Sequence, residues 1–176
     1  MRQKKWTQIK KTKRTKKPTK KRLKQRLDNA VRDYIKARDN WTCCICKCTK
    51  ETAIGYIEWS HKVGRNTLTL RWDERNSVLH CSVCHRDWHN AKNTISTHQW
   101  IDSEWGPGTS EKLEIYSKRQ PTVKGTELDT VEYRLHLEKM YKLKTKALKE
   151  GTMTRDEAKE HTWDDFFGYW SNDVQI

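Results

Sequence analysis

Two cysteine pairs with the same two-residue gap constrain this chain more than any other feature. Cys43-x-x-Cys46 and Cys81-x-x-Cys84 are separated by residues 47–80. Two such knuckles at this separation can hold one zinc ion tetrahedrally through four thiolates. The sequence therefore predicts a structural zinc site that joins two distant parts of the chain.

The other two cysteines, Cys44 and Cys48, leave the first knuckle open to another choice. Either could replace a member of the first pair or stay free, but only Cys43 and Cys46 reproduce the two-residue gap. A disulfide framework is the alternative to metal. No apolar stretch follows the basic start as a signal peptide would, so we expect a cytoplasmic protein with reduced thiols. No apolar run approaches the ~20 residues that span a bilayer.

Positive charge is concentrated at the N terminus. The formal net charge is +14, and residues 1–26 contain many Lys and Arg but no Asp or Glu. We expect residues 1–22 to form a basic arm without regular structure that attracts DNA through counterion release. A solvated tail is the alternative, and a membrane-surface role is disfavoured because the arm has few apolar anchors. The predicted DNA-binding residues are Lys10, Lys11, Lys13, Arg14, Lys16, Lys17, Lys20, Lys21 and Arg22, with Arg65 from a later loop.

The remaining sequence predicts an α+β protein built around a small zinc-stapled module. Hydrophobic residues make up 34% of the chain, which is poor material for a large core. The periodicity predicts an amphipathic helix over 23–39, a strand over 52–60, an extended segment over 68–72, a run over 77–80 that leads into the second knuckle, and a helix over 82–92. Residues 23–92 are thus the expected module.

A helical extension over 93–151 and a C-terminal region over 152–176 complete the predicted organisation. Gly106-Pro107-Gly108 indicates a break, and residues 126–149 predict a long helix that ends at Gly151. Thr154-x-x-Glu157 is a capping-box pattern that opens a last helix. The acidic, aromatic segment 162–170 is expected to fold back on the core as a helix, with docking of a partner protein as the alternative.

Three histidines and one asparagine are the candidate catalytic residues. His61 lies between the knuckles, just past a predicted strand, and imidazole is a suitable general base near neutral pH. His85 and His89 have i, i+4 spacing and would share one helical face, where two neutral imidazoles can bind one divalent cation. Asn76, in the loop between the strands, can bond backbone groups and hold the loop that carries the base, with an ordinary turn asparagine as the alternative.

Taken together, these residues resemble the motif of the HNH nucleases, over residues 41–90. The resemblance implies a ββα-metal fold in which His61 activates water, Asn76 orients the loop, and His85 with His89 holds a divalent ion, Mg²⁺ or Mn²⁺. The implied reaction is hydrolysis of a DNA phosphodiester. In many HNH enzymes a metal-binding Asp or His precedes the catalytic histidine, whereas this chain has Ser60 there, and Glu58 or Asp73 could compensate.

A longer similarity is to the phage NinG/Rap recombination endonucleases. It rests on the helix 23–39 leading into the first knuckle, on Ser60-His-Lys-Val-Gly-Arg65, on Leu70-Arg-Trp-Asp-Glu-Arg-Asn76, and on Trp100-Ile-Asp-Ser-Glu-Trp-Gly106 with the later helix. In that family Asn typically follows the second knuckle, where this chain has His85. The similarity implies a phage protein that cuts branched recombination intermediates such as Holliday junctions and D-loops.

Two other functions compete with this one. The first is a non-catalytic zinc module that binds DNA through its arm, which would need none of the three histidines. The second is an HNH nuclease of another type, from a mobile element or a packaging system, against which the C-terminal similarity argues. The sequence leaves open whether the chain forms a homodimer.

Overall fold

The computed structural model describes residues 18–119 and 130–160 of the chain. They form two antiparallel strands and a set of helices. In chain order these are α1 (Lys20–Arg38), β1 (Ile57–His61), β2 (Ser77–Cys81), α2 (Ser82–His89), α3 (Thr94–Trp105), α4 (Thr109–Lys118), α5 (Val131–Glu150) and α6 (Arg155–Glu160). The predicted α+β class is confirmed, and β1, β2 and α2 follow one another as a strand–strand–helix unit. Within these two ranges, no helix is both long and apolar enough to cross a membrane.

Helix α1 begins earlier than the sequence predicted. Thr19 is its N-cap, and the Thr19 hydroxyl accepts a hydrogen bond of 3.3 Å from the backbone N–H of Arg22. Lys20, Lys21 and Arg22, which were assigned to the arm, therefore form the first turn of α1. The predicted DNA-binding residues from Lys10 to Lys17 lie outside the described residues.

The strand over 52–60 was predicted too long, and the extended segment over 68–72 is wrong. Gly55 has a φ of +89°, and the chain up to Tyr56 makes turns instead of pairing, so β1 begins only at Ile57. In the later segment, the backbone N–H of Leu70 donates to Thr67 and that of Arg71 to Leu68. Successive short-range bonds of this kind form tight turns, which no periodicity of side chains reveals.

The predicted breaks and caps of the C-terminal half are confirmed. Gly106 and Gly108 both have positive φ between α3 and α4, and Gly151 ends α5 in the left-handed conformation. The backbone N–H of Glu157 donates to the Thr154 hydroxyl, while the Glu157 carboxylate accepts from the Thr154 N–H, which is the capping box. The segment 162–170 lies outside the described residues.

The hairpin has two faces that pack against different helices. In the register of the sheet, Glu58 lies opposite His80 and Trp59 opposite Leu79. Leu79 belongs to the core cluster shared with α1 and α5. Val78, on the other face, packs with residues of α3 and α4. Because side chains alternate along a strand, neighbouring residues of β1 face different environments.

Every residue from Leu70 to Cys81 is buried. This run includes Glu74, whose carboxylate accepts hydrogen bonds from the Tyr34 hydroxyl at 2.6 Å and from Lys144 Nζ at 2.9 Å. Burial raises the pKa of Glu74 from its usual value, although the charges of Lys144 and Arg38 oppose the shift. Glu74 thus links α1, the segment before β2, and α5 in the interior.

We expect Glu74→Ala to destabilise the fold by about 3–5 kcal/mol, because it removes a carboxylate that compensates the buried charge of Lys144. The matched control is Glu150→Ala, which removes the exposed ion pair with Lys146 and should cost less than about 1 kcal/mol. Urea unfolding of the zinc-loaded protein measures both values. Equal decreases in unfolding free energy for the two variants would show that the buried carboxylate of Glu74 stabilises the fold no more than the exposed carboxylate of Glu150.

Candidate functional site

Four cysteine sulfurs converge beside the start of α2. The Sγ atoms of Cys43, Cys46, Cys48 and Cys81 all lie within 4.8 Å of one another. Tetrahedral zinc with Zn–S bonds of about 2.3 Å sets neighbouring sulfurs about 3.8 Å apart. The Cys46 and Cys81 sulfurs are 3.7 Å apart, so this part of the cluster already has the spacing of a zinc site. The residues fit a structural zinc ion.

The loop that carries three of these thiols is folded tightly on itself. The backbone N–H of Cys43 donates to the carbonyl of Cys48 at 2.8 Å, and that of Lys47 donates to the carbonyl of Cys43 at 3.1 Å. Lys47 has a φ of 59°, which turns the chain back after Cys46. Cys44 points away from this loop into the core cluster of α3 and α4, and burial raises the pKa of its thiol. It therefore takes no part in the cluster.

Cys43, Cys46 and Cys81 are brought together as expected, and Cys48 is the fourth sulfur of this group. The thiol of Cys84, the fourth ligand predicted from spacing, also makes side-chain contacts with Cys43, Cys46 and Cys81. The backbone N–H of Cys84 donates to the Cys81 sulfur at 3.5 Å. Knuckle spacing alone favoured Cys84. The tight turn at Lys47, which brings Cys48 back toward Cys46, could not be seen in the spacing.

A second group of polar side chains lies along α2 and the outer part of the hairpin. Glu58 on β1 hydrogen-bonds Nδ1 of His85. On the other side of that ring, Nε2 of His85 is 3.1 Å from Nε2 of His89. A carboxylate that holds one ring nitrogen of a histidine fixes the tautomer and leaves the other nitrogen as a ligand. Glu58 thus leaves the Nε2 lone pair of His85 directed toward His89.

Sequence reasoning missed His80, which belongs to the same group. It lies opposite Glu58 in the sheet, is fully buried, and has its ring 6.2 Å from that of His85 at an angle of 20°. Burial, together with the charges of His85 and His89, lowers the pKa of His80 to about 4. A neutral ring packed behind His85 restricts the positions that His85 can take. In the sequence, the position of His80 was indicated only by the alternation of side chains along β2.

His61 is the last residue of β1 and is almost enclosed. Its ring packs on Trp59, with centroids 4.3 Å apart, and its Nε2 lies 3.0 Å from the carbonyl oxygen of Arg71. Burial lowers the pKa of His61 to about 4, and the bond to Arg71 only partly opposes that shift. The imidazole is therefore neutral at physiological pH.

Asn76 holds the loop that follows His61. Its Oδ1 accepts a hydrogen bond of 2.6 Å from the backbone N–H of Val63, and its Nδ2 donates to the carbonyls of Val63 and Leu70 at 3.0 and 2.9 Å. Asn76 is fully buried, so these bonds are protected from water. They are the bonds to backbone that were expected of a loop-holding asparagine.

The structure does not bring His61 and the His85–His89 pair onto one face of the hairpin. Trp59 and His61 share the face that packs toward α1, whereas Glu58 contacts His85 from the opposite face. Ser60, beside His61, lies on the Glu58 face and is buried. Asp73, the other residue considered as a metal ligand, instead pairs with Arg75 at 3.0 Å. Among the described residues, the cysteine cluster is the only group of three or more potential ligands with converging atoms.

Comparison with protein families, with curated proteins and with solved structures finds no match to this chain.

We expect Cys48→Ser and Cys84→Ser to separate the two candidate ligand sets. If Cys48 completes the site, Cys48→Ser lowers the zinc content or weakens zinc binding, because one of four thiolates is lost, while Cys84→Ser keeps one zinc per chain. Elemental analysis and the thiolate-to-metal absorption of the cobalt-substituted protein measure the change. If Cys48→Ser keeps all its zinc and Cys84→Ser loses it, the fourth ligand is Cys84, as the spacing predicted.

Proposed function

We propose that this chain is a metal-dependent endonuclease of the HNH type that hydrolyses phosphodiester bonds in DNA. The observation that supports this best is the line of contacts from Glu58 through His85 to His89 on a strand–strand–helix unit. A solvent-facing histidine pair with a purely structural role needs no carboxylate behind it. A cation site needs such a carboxylate, because it fixes the tautomer of the histidine ligand.

His85 and His89 are the proposed ligands of the catalytic ion, Mg²⁺ or Mn²⁺. Both present a ring nitrogen on one face of α2, and side chains of Glu58 and His80 support His85 from the sheet. A divalent ion bound there would supply Lewis-acid stabilisation of the scissile phosphate and of the leaving 3′ oxygen. Two protein ligands leave room for water and phosphate oxygens.

His61 is the proposed general base. Its imidazole is unprotonated at neutral pH, because burial lowers its pKa to about 4. Because the Arg71 carbonyl can only accept a hydrogen bond, the proton of the neutral ring resides on Nε2. Nδ1 of His61 is then the nitrogen that carries the lone pair. Asn76 keeps the loop after His61 in place through its three bonds to backbone.

The proposed substrate is branched DNA of phage recombination. This choice rests on the resemblance to the NinG/Rap endonucleases and on the cluster of Lys and Arg in residues 1–26. Such a cluster binds phosphates without reading sequence. Exposed Arg65, in the loop held by Asn76, would contact the backbone near the site.

A second candidate function is DNA binding by a zinc-stabilised module without catalysis. The observation that favours it is the position of His61 on the opposite face of β1 from Glu58 and His85. In that case the base and the proposed cation would act on different sides of the hairpin.

We expect the cation site to be measurable without any nuclease assay. His85→Ala and His89→Ala should abolish Mn²⁺ binding detected by electron paramagnetic resonance, and Glu58→Gln should weaken it by about 10- to 100-fold, because the supporting carboxylate is lost. Asp87→Asn, a carboxylate on the same helix, is the matched control. Zinc content should stay constant in all four variants. Unchanged Mn²⁺ binding in the two histidine variants would exclude this pair as ligands.

We expect the purified protein to cut a four-way junction with Mg²⁺ or Mn²⁺ and not with EDTA. His61→Ala should lower the rate by about 10²- to 10⁴-fold while DNA binding and zinc content persist, because a general base contributes about that factor. His98→Ala, a histidine on α3 outside the site, is the control. A flap and a linear duplex test the preference for branches.

Two results would contradict the proposal in different ways. Equal rates for wild type and His61→Ala would exclude His61 as the base. Tight DNA binding without cleavage under any metal would support the zinc-stabilised binding module instead.

A further inference from the structure

The Nε2 atom of His61 is hydrogen-bonded to a backbone carbonyl and not to a side-chain acceptor. Its Nε2–H donates to the carbonyl of Arg71 at 3.0 Å. A histidine in this position has one fixed tautomer only while that carbonyl stays where it is. Whatever holds Arg71 therefore also determines which nitrogen of His61 carries the lone pair.

The side chain of Arg71 is anchored to helix α1. Its Nε and Nη2 donate to the two carboxylate oxygens of Asp28, each at 2.8 Å, which is a bidentate ion pair. Its Nη1 donates to the carbonyl of Arg65 at 2.8 Å. The guanidinium and the carboxylate are 10% and 15% exposed, so little water competes for these bonds.

Asp28 also holds the next residue of the same segment. The indole Nε1 of Trp72 donates to Asp28 Oδ1 at 2.9 Å, and Trp72 itself is buried in the core between α1 and α5. One carboxylate on a helix thus accepts three hydrogen bonds from two consecutive residues. On either side of Asp28 in sequence, Leu27 and Ala30 are buried, which fixes this part of α1 in the core.

We propose that Asp28 is a positioning residue for His61 and that it acts through Arg71. The carboxylate fixes the guanidinium, the guanidinium and Trp72 fix the backbone of 71–72, and the carbonyl of Arg71 fixes the tautomer and the orientation of the imidazole. This inference rests on the proposed role of His61 as a base for its consequence in catalysis. The effect of Asp28 on the orientation of the His61 ring, transmitted through Arg71, does not depend on that role.

The ion pair of Asp28 with Arg71 is distinct from the ion pair that links α1 to α5. Arg26 on α1 pairs with Glu138 on α5 at 2.9 Å, and this pair touches neither the loop nor His61. Both pairs tie α1 to a neighbouring part of the fold. A comparison between them therefore separates the effect on His61 from a general loosening of α1.

The experiment uses the full-length, zinc-loaded protein with Asp28→Asn, Arg71→Lys and the control Glu138→Gln. Nitrogen chemical shifts of His61, assigned by their loss in His61→Ala, report the tautomer directly. We expect one Nε2–H tautomer in wild type and in Glu138→Gln, and a mixture of tautomers in Asp28→Asn and Arg71→Lys. Arg71→Lys keeps the charge and the backbone carbonyl but cannot form the bidentate pair.

Kinetics on the four-way junction give the second readout. We expect Asp28→Asn and Arg71→Lys to lower kcat by up to about 100-fold with little change in KM, because a misplaced catalytic group slows the chemical step. Glu138→Gln should leave both parameters near wild type. Asp28→Glu, which keeps the carboxylate, should recover part of the loss.

A single unchanged tautomer of His61 in Asp28→Asn and in Arg71→Lys would overturn the inference. If Asp28→Asn does not fold, the nitrogen chemical shifts of His61 in Arg71→Lys test the inference on their own. Absence of cleavage in the wild type would instead refute the proposed function, and the tautomer measurement would still test the positioning role of Asp28.

Discussion

The convergence of cysteine sulfurs on Cys81 is the interaction on which this small fold depends. Cys81 ends β2, and its sulfur accepts the backbone N–H of Cys84, so it also caps the first turn of α2. The same sulfur lies among those of the loop that follows α1. A chain with 34% hydrophobic residues has limited apolar surface to bury. A metal ion at this point would join α1, the hairpin and α2, so that folding and metal binding become one process.

The hairpin separates the molecule into two environments. The face of Trp59 and Leu79 packs into the core between α1 and α5, and His61 belongs to this dry side. The face of Glu58 and His80 supports the histidines of α2, which reach solvent. A β-strand only five residues long thus presents a buried neutral imidazole on one side and a carboxylate on the other.

Much of this architecture could be predicted from local chemistry. The helix caps at Gly151 and Thr154, the break at Gly106, and the loop bonds of Asn76 all follow from preferences of single residues for particular backbone states. What local preferences did not reveal is how the chain turns back on itself and which distant residues meet. Cys48 joins the sulfur cluster through a left-handed turn at Lys47, and Asp28 meets Arg71 across 43 positions of sequence.

The same distinction explains the errors in the strands. The segments 52–56 and 68–72 are rich in β-branched and aromatic residues, which favour strands. They form turns because the two paired strands already complete the sheet of the described fold, and because backbone bonds close early around Leu70. Composition indicates what a segment prefers, and only the tertiary fold determines whether a partner strand exists.

The continuous burial of residues 70–81 has an evolutionary consequence. Residues 77–81 of this run form β2, where a one-residue insertion or deletion would move alternate side chains to the wrong face of the hairpin. The exposed turn at 64–66 carries no such restriction, because surface loops tolerate changes of length. Relatives of this chain should therefore keep the spacing from Ser77 to Cys81 and vary in length around Gly64.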